Sequence, residues 1–147
     1  MTPFFLDTGF LIALEAGDDQ HHAEATAFWE RYQESPTSLV TTFYVFNEVV
    51  TFFNSRGHHA KAVEIGRYLL NSPSVHFVYV DEPLFDEAWQ LFQRYRDKRY
   101  SFTDCVSFAV MKRLKLKTPK SWKASISLTW RRCARSGLLP TSCSRAP

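Results

Sequence analysis

The residues FFLDTGFLIAL, Phe4 to Leu14, set the narrowest limits on what this chain can fold into. Apolar residues run up to one carboxylate, Asp7, then a Thr-Gly pair intervenes, then apolar residues resume. That order reads as a buried strand ending at Asp7 and a helix starting beyond it. A carboxylate at the carboxyl end of a strand lies where open α/β sheets hold their ligands. The same position also suits a helix cap, with Asp7 or Thr8 accepting backbone N–H groups. The stretch alone leaves both roles open.

The pattern recurs along the chain. After a turn at Gly17, Asp18 and Asp19, the segment Gln20 to Glu34 has helical spacing and stops before Pro36. Leu39 to Thr41 reads as a short strand, and Thr42 as the cap of a helix that ends at Gly57. Its expected apolar stripe is Phe43, Phe46, Val49, Val50 and Phe53, with Tyr44, Glu48 and Thr51 along the other edge. A helix from His58 to Ser72 should face Ala62, Ile65, Leu69 and Leu70 inward. VHFVYV, Val75 to Val80, alternates as a strand, and Asp81 should cap a helix from about Pro83 to Tyr95. A last helix in SFTDCVSFAVMKRL carries Asp104 in its first turn, with Ser101 or Thr103 as its cap. Strands alternating with helices argue for an α/β fold with a parallel sheet flanked by helices.

Bulk properties narrow the class. A chain of 147 residues, 45% hydrophobic, suits one domain with one core. It has no apolar run of about 18 residues and no basic-then-apolar leader, so a soluble, unprocessed, cytoplasmic protein is expected. Cys105, Cys133 and Cys143 are odd in number and lack metal-ligand spacing, so reduced thiols are expected. His21 and His22 point about 100° apart on a helix and make a poor chelate. They read as a solvated turn, as do His58 and His59.

Three acids stand apart. Asp7 closes a strand, Glu48 interrupts an apolar helix, and Asp104 opens another helix. Each has a plain explanation: a cap, a surface glutamate, a carboxylate favoured by the helix dipole. If the sheet gathers them at one edge, their charges raise one another's pKa unless a cation sits among them. Oxygen ligands without a Cys or His cluster select a hard ion, Mg2+ or Mn2+. Arg94, Arg96, Lys98 and Arg99, with Tyr95 and Tyr100 close by, read either as a solvated helix end or as a grip on a phosphate backbone with a ring for a base. Asp97 among them could pair with an arginine.

FLDTGFLIAL, FNEVVTFF and SFTDCVSFAVMKRL, in that order and at these separations, resemble the PIN-domain ribonucleases, in particular the VapC-type toxins of bacterial toxin–antitoxin pairs. The resemblance covers residues 1 to about 116. It implies a PIN-like three-layer α/β/α fold with a central parallel sheet, RNA cleavage dependent on Mg2+ or Mn2+, a cognate antitoxin and a homodimer. Under it, Asp7, Glu48 and Asp104 match the first three catalytic, metal-binding acids, and Thr8 and Thr103 match hydroxyl residues that help orient the cluster. Arg94, Arg96, Lys98 and Arg99 would then steer RNA.

The resemblance ends where the composition changes. Residues 1–104 hold all 15 Asp and Glu and eight Lys and Arg, whereas residues 105–147 hold ten Lys and Arg and no acid. The family's fourth acid is expected near Ser121 to Ser127, where none exists. The chain is therefore read as a PIN domain over residues 1–117 and an atypical basic tail over 118–147, disordered or left by a shift of reading frame near Lys117. Activity would survive on three acids, weakened because a second metal is less well held. The alternative is a catalytically impaired PIN domain that binds antitoxin or RNA without cutting. A phosphatase with Asp7 as nucleophile is disfavoured because Gly9 stands where a second aspartate belongs.

Overall fold

A computed structural model describes residues 3–116. The expected position of the fourth acid, Cys133, Cys143 and the basic tail over 118–147 all lie outside the described residues. The elements run β1 (Phe4–Phe5), α1 (Thr8–Glu15), α2 (His22–Glu34), β2 (Leu39–Thr42), α3 (Phe43–Ser55), α4 (His59–Asn71), β3 (Val75–Val78), α5 (Glu82–Arg94) and α6 (Phe102–Arg113). Among the described residues the sheet has the order β1-β2-β3 and is parallel throughout. Phe4 lies opposite Leu39, and Leu39 opposite Val75. All three strands therefore point their carboxyl ends at one edge. The α/β expectation holds.

The strands are short and almost wholly enclosed. All four residues of β2 are buried, including the polar pair Thr41 and Thr42. A buried hydroxyl needs a partner, and each has one. Thr41 Oγ1 donates to the Leu6 carbonyl at 3.0 Å, while Thr42 Oγ1 accepts from the Val45 amide at 3.3 Å as the cap of α3. The Leu6 amide donates to the Val40 carbonyl at 2.8 Å. β2 is thus sewn to the backbone immediately before Asp7. Three helices begin on residues that follow a strand directly or nearly so: α1 capped by Asp7, α3 by Thr42 and α5 by Asp81.

Most boundaries agree with the sequence reading, and the departures have physical causes. The third strand was expected to reach Val80 but stops at Val78, which pairs with the last residue of β2; beyond it no backbone is left to pair with, and Tyr79 is exposed. Phe43 does not join the buried stripe of α3. It opens the helix, is half exposed, and stacks on Phe77 with ring centroids 4.5 Å apart, leaving Val45, Val49 and Phe53 as the buried set. Leu70 is also exposed, because the inner face of α4 is set by Ala62, Ile65 and Leu69, and the next residue turns about 100° away. Gly57, with φ +78°, takes the left-handed backbone just past α3 that a side chain would resist. Cys105 is fully buried in α6.

No helix of the described residues is long and apolar enough to cross a membrane. Adjacent leucines on α4 test the packing. Leu69→Ala should cost about 3 kcal/mol in a denaturant titration, whereas Leu70→Ala should stay within about 0.5 kcal/mol. Equal losses would mean that the inner face of α4 is wrongly assigned.

Candidate functional site

Asp7 follows β1 by two residues and is 3% exposed. Its Oδ1 accepts the Phe10 amide at 3.0 Å, so the capping role left open by the sequence is filled. Capping does not exhaust a carboxylate, which has about four acceptor positions on two oxygens. The neighbouring Thr8 reaches across 40 residues of sequence, donating from Oγ1 to Glu48 Oε2 at 2.7 Å. This short bond to a carboxylate is of the charge-assisted kind. It fixes the half-buried Glu48, on the middle of α3, against the start of α1.

Asp104 arrives from a third direction. Ser101 caps α6 in a reciprocal box: its hydroxyl accepts the Asp104 amide at 3.1 Å, and Asp104 Oδ2 accepts the Ser101 amide at 2.9 Å. Thr103 lies half-buried in the same turn. Burial pushes the Asp104 carboxyl above its ordinary value, and hydrogen bonding from Ser101 opposes this. α3 packs against both α1 and α6, and at the second contact the Tyr44 ring meets Phe102 edge-on at 5.9 Å. Tyr44 lies one turn before Glu48, and Phe102 two residues before Asp104.

The structure thus joins Thr8 directly to Glu48 and packs the helix carrying Glu48 on the helix carrying Asp104. Among the described residues, no three His, Cys, Asp or Glu side chains stand close enough together to hold a metal ion as they are. Each of the three acids is occupied locally, by Phe10, Thr8 or Ser101. The donor chemistry nevertheless fits a hard divalent cation: the groups are carboxylate and hydroxyl oxygens, and Asp104 bears a desolvation cost that a cation would offset.

The cationic segment lies at the end of α5 and in the turn after it. Arg94, Arg96, Lys98 and Arg99 are all exposed. Asp97 pairs with Lys98 at 3.5 Å, not with an arginine. The two tyrosines do not offer rings to a ligand as the sequence suggested. Tyr95 is 3% exposed, and Tyr100 packs edge-on to Tyr95 and Phe108 at 5.6 and 5.4 Å.

The exposed rings of α5, the helix that runs into this segment, are instead Phe85, Trp89 and Phe92. Sequence reasoning missed them, although their i, i+4, i+7 spacing is visible. An aromatic stripe at that spacing normally faces a core, and here Leu84, Ala88 and Leu91 already do. Two of the histidines make local contacts: His22 Nδ1 lies 2.8 Å from the Ala13 carbonyl and His59 Nδ1 lies 2.9 Å from Asn54 Oδ1.

Comparison with known proteins identifies the family. The family model described as PIN domain matches residues 4–118. Over 109 residues, 74% of this chain and 80% of the relative, the sequence is 34% identical to the 23S rRNA-specific endonuclease VapC20 of Mycobacterium tuberculosis, from either of two strains. The crystal structure of Mycobacterium tuberculosis VapC20, described as a Sarcin-Ricin loop cleaving toxin, matches with a TM-score of 0.73 and 29% identity, covering 86% of this chain and 94% of that one. The chain therefore belongs to the PIN-domain family, and within it to the VapC-type endonucleases.

Proposed function

We propose that this chain is a divalent-metal-dependent endoribonuclease, the toxin of a toxin–antitoxin pair, with Asp7, Glu48 and Asp104 as its catalytic carboxylates. The observation that carries the reading is the Thr8–Glu48 hydrogen bond, because it links two acid-bearing elements far apart in sequence at the carboxyl edge of the sheet. The packing of α6 on α3 supports the inclusion of Asp104. The relatives are named for cutting 23S rRNA, which makes ribosomal RNA the first substrate to test.

In this reading Asp7, Glu48 and Asp104 hold Mg2+ or Mn2+. When bound, such an ion lowers the pKa of a water and neutralises charge developing on the phosphodiester. Thr8 keeps Glu48 turned toward α1, and Thr103 orients the start of α6. The burial of Asp7 and Asp104 thins the surrounding water, strengthening every charge interaction there. Arg94, Arg96, Lys98 and Arg99 attract the RNA backbone. A cognate antitoxin covers the site, the chain works as a homodimer, and its compartment is the cytoplasm. Residues 118–147 stand outside the PIN domain as an atypical basic tail. The lack of any acid in residues 105–147 favours a second reading, a PIN domain that binds antitoxin or RNA but has lost cleavage.

Incubation with ribosomal RNA in Mg2+, Mn2+ or EDTA separates the two. The enzyme should cut in either metal and stop in EDTA, and Asp7→Asn or Asp104→Asn should each lower the rate by at least roughly 100-fold, the upper end of the loss when only a group behind a metal ligand is changed. Tight antitoxin binding without cleavage in Mn2+ would establish the second reading. The cations have a separate signature: Arg96→Ala or Arg99→Ala should weaken binding for all RNA sequences alike and reduce the salt slope by about 1 each.

Asp104 also links the site to stability. Its folded pKa lies above the ordinary 3.8, so its favourable contribution is complete below that pH and is lost as pH rises through the folded value. In thermal melts without metal, Asp104→Asn should therefore gain on the parent as the pH rises above 3.8. Added Mn2+ should then stabilise the parent and not the variant. Equal response of both proteins to Mn2+ would remove Asp104 from the site.

A further inference from the structure

We infer that the exposed face of α5 is the surface through which two copies of this chain pair about a two-fold axis, the helices antiparallel and Trp89 at the centre. This deepens the homodimer reading above and rests on it, naming the surface. Phe85, Trp89 and Phe92 are 41%, 46% and 38% exposed. All three rings meet Phe102 edge-on, at 5.2, 6.4 and 6.2 Å, and Trp89 stacks on Phe92 at 5.6 Å, so the ridge is braced from beneath. Braced aromatic side chains lose little freedom on docking, and such rings anchor protein interfaces. The inner side of the helix is already taken up by the core, through Leu84, Ala88 and Leu91.

The order of residues along that face selects a second copy as its occupant. Glu82, Phe85, Trp89, Phe92 and Arg96 follow one another at steps of three, four, three and four, the spacing of a helix seam that packs on another helix. An acid opens the series, and a cation closes it in the turn just past the helix end. Turning a copy end for end about Trp89 sets Glu82 against the partner's Arg96 and Phe85 against the partner's Phe92. The same pairs recur on the other side of the axis, so the series is complementary to itself, as a two-fold contact requires. Glu82 and Arg96 are exposed, and among the described residues neither enters an ion pair, whereas the nearby Asp81 and Glu87 are bound by Arg113 and Lys112 of α6. The unlike ends also fix direction, since a parallel arrangement would face Glu82 with Glu82. An RNA strand fits only half of the face, because Glu82 and Asp86 repel phosphates around Phe85. A second copy uses the whole of it.

The test is sedimentation of the full chain at concentrations of about 1 to 100 μM, where the parent should run as a dimer at the upper end. Glu82→Arg and Arg96→Glu each bring like charges together on both sides of the axis. Each should weaken the dimer roughly tenfold, and the two changes combined restore unlike pairs and should return it close to the parent. Trp89→Glu faces two carboxylates at the axis and should give monomer; the charge variants, at exposed positions, decide the matter should Trp89→Glu melt early. A parent dimer that none of these changes weakens removes this surface and leaves the homodimer standing. Single charge reversals that weaken the dimer without recovery in the combined variant overturn the two-fold register, and with it the pairing. A dimer left intact in Trp89→Glu while its affinity for ribosomal RNA falls gives the face to RNA and likewise overturns the pairing. A parent that stays monomeric throughout removes the surface and the homodimer together. Cleavage in Mn2+ is followed in the same samples, so that loss of the dimer and loss of the nuclease reading are told apart.

Discussion

Burying carboxylates at or near the starts of helices around a parallel sheet is the constraint on which the rest of this structure depends. Asp7 is nearly inaccessible, and Asp104 is buried enough for its proton affinity to rise. An ionised carboxyl in such a place must find donors or neutralise itself. The protein supplies donors from the nearest unsatisfied source, the amide groups at helix starts and one hydroxyl. Asp7 accepts from Phe10, Glu48 from Thr8, and Asp104 from Ser101. The groups proposed to hold a cation therefore also begin helices or brace one against another, and structure and chemistry draw on the same atoms.

The architecture around them follows. Parallel strands require helical crossovers, and the crossovers bring α1 and α3 to start at the same sheet edge. Thr41 and Thr42 fix that edge from within, one bonding back to β1 and the other starting α3. α6 packs on α3, and α5 packs on α6. Salt bridges from Arg113 to Asp81 and from Lys112 to Glu87 join the last two helices on the exposed side. The Asp81 carboxyl is held below its ordinary value, first by the Leu84 amide and then by Arg113. That contribution is present above the unfolded pKa and fades as the pH falls through the folded one. α5 is thus anchored at its amino end, and its free face carries rings followed by cations.

Much of this could be read from the residues in order. Proline, glycine and the cap residues marked where elements begin and end, because those signals act within one turn of chain: Thr42, Asp81 and Ser101 all cap the helices assigned to them. Side-chain direction was less legible. Phe43 and Leu70 look like core residues by type and spacing yet face outward, since a helix buries only the arc that a neighbour covers. The tyrosines beside the cationic segment failed for the opposite reason. Adjacency along the chain suggested a surface ring, while the fold turned Tyr95 inward and left Trp89 and Phe92 outside.

The sequence by itself determined the alternation of strands and helices, the position of each cap, the family membership carried by three short acidic motifs, and the break in composition after Asp104. All of these are properties of neighbours in the chain. Only the tertiary structure decided that Thr8 bonds to Glu48, that α6 lies on α3 beside Tyr44, and which of several aromatic residues remain open to a ligand. Such pairings depend on how helices cross a sheet. That geometry is set by the packing of the whole core, and no local pattern contains it.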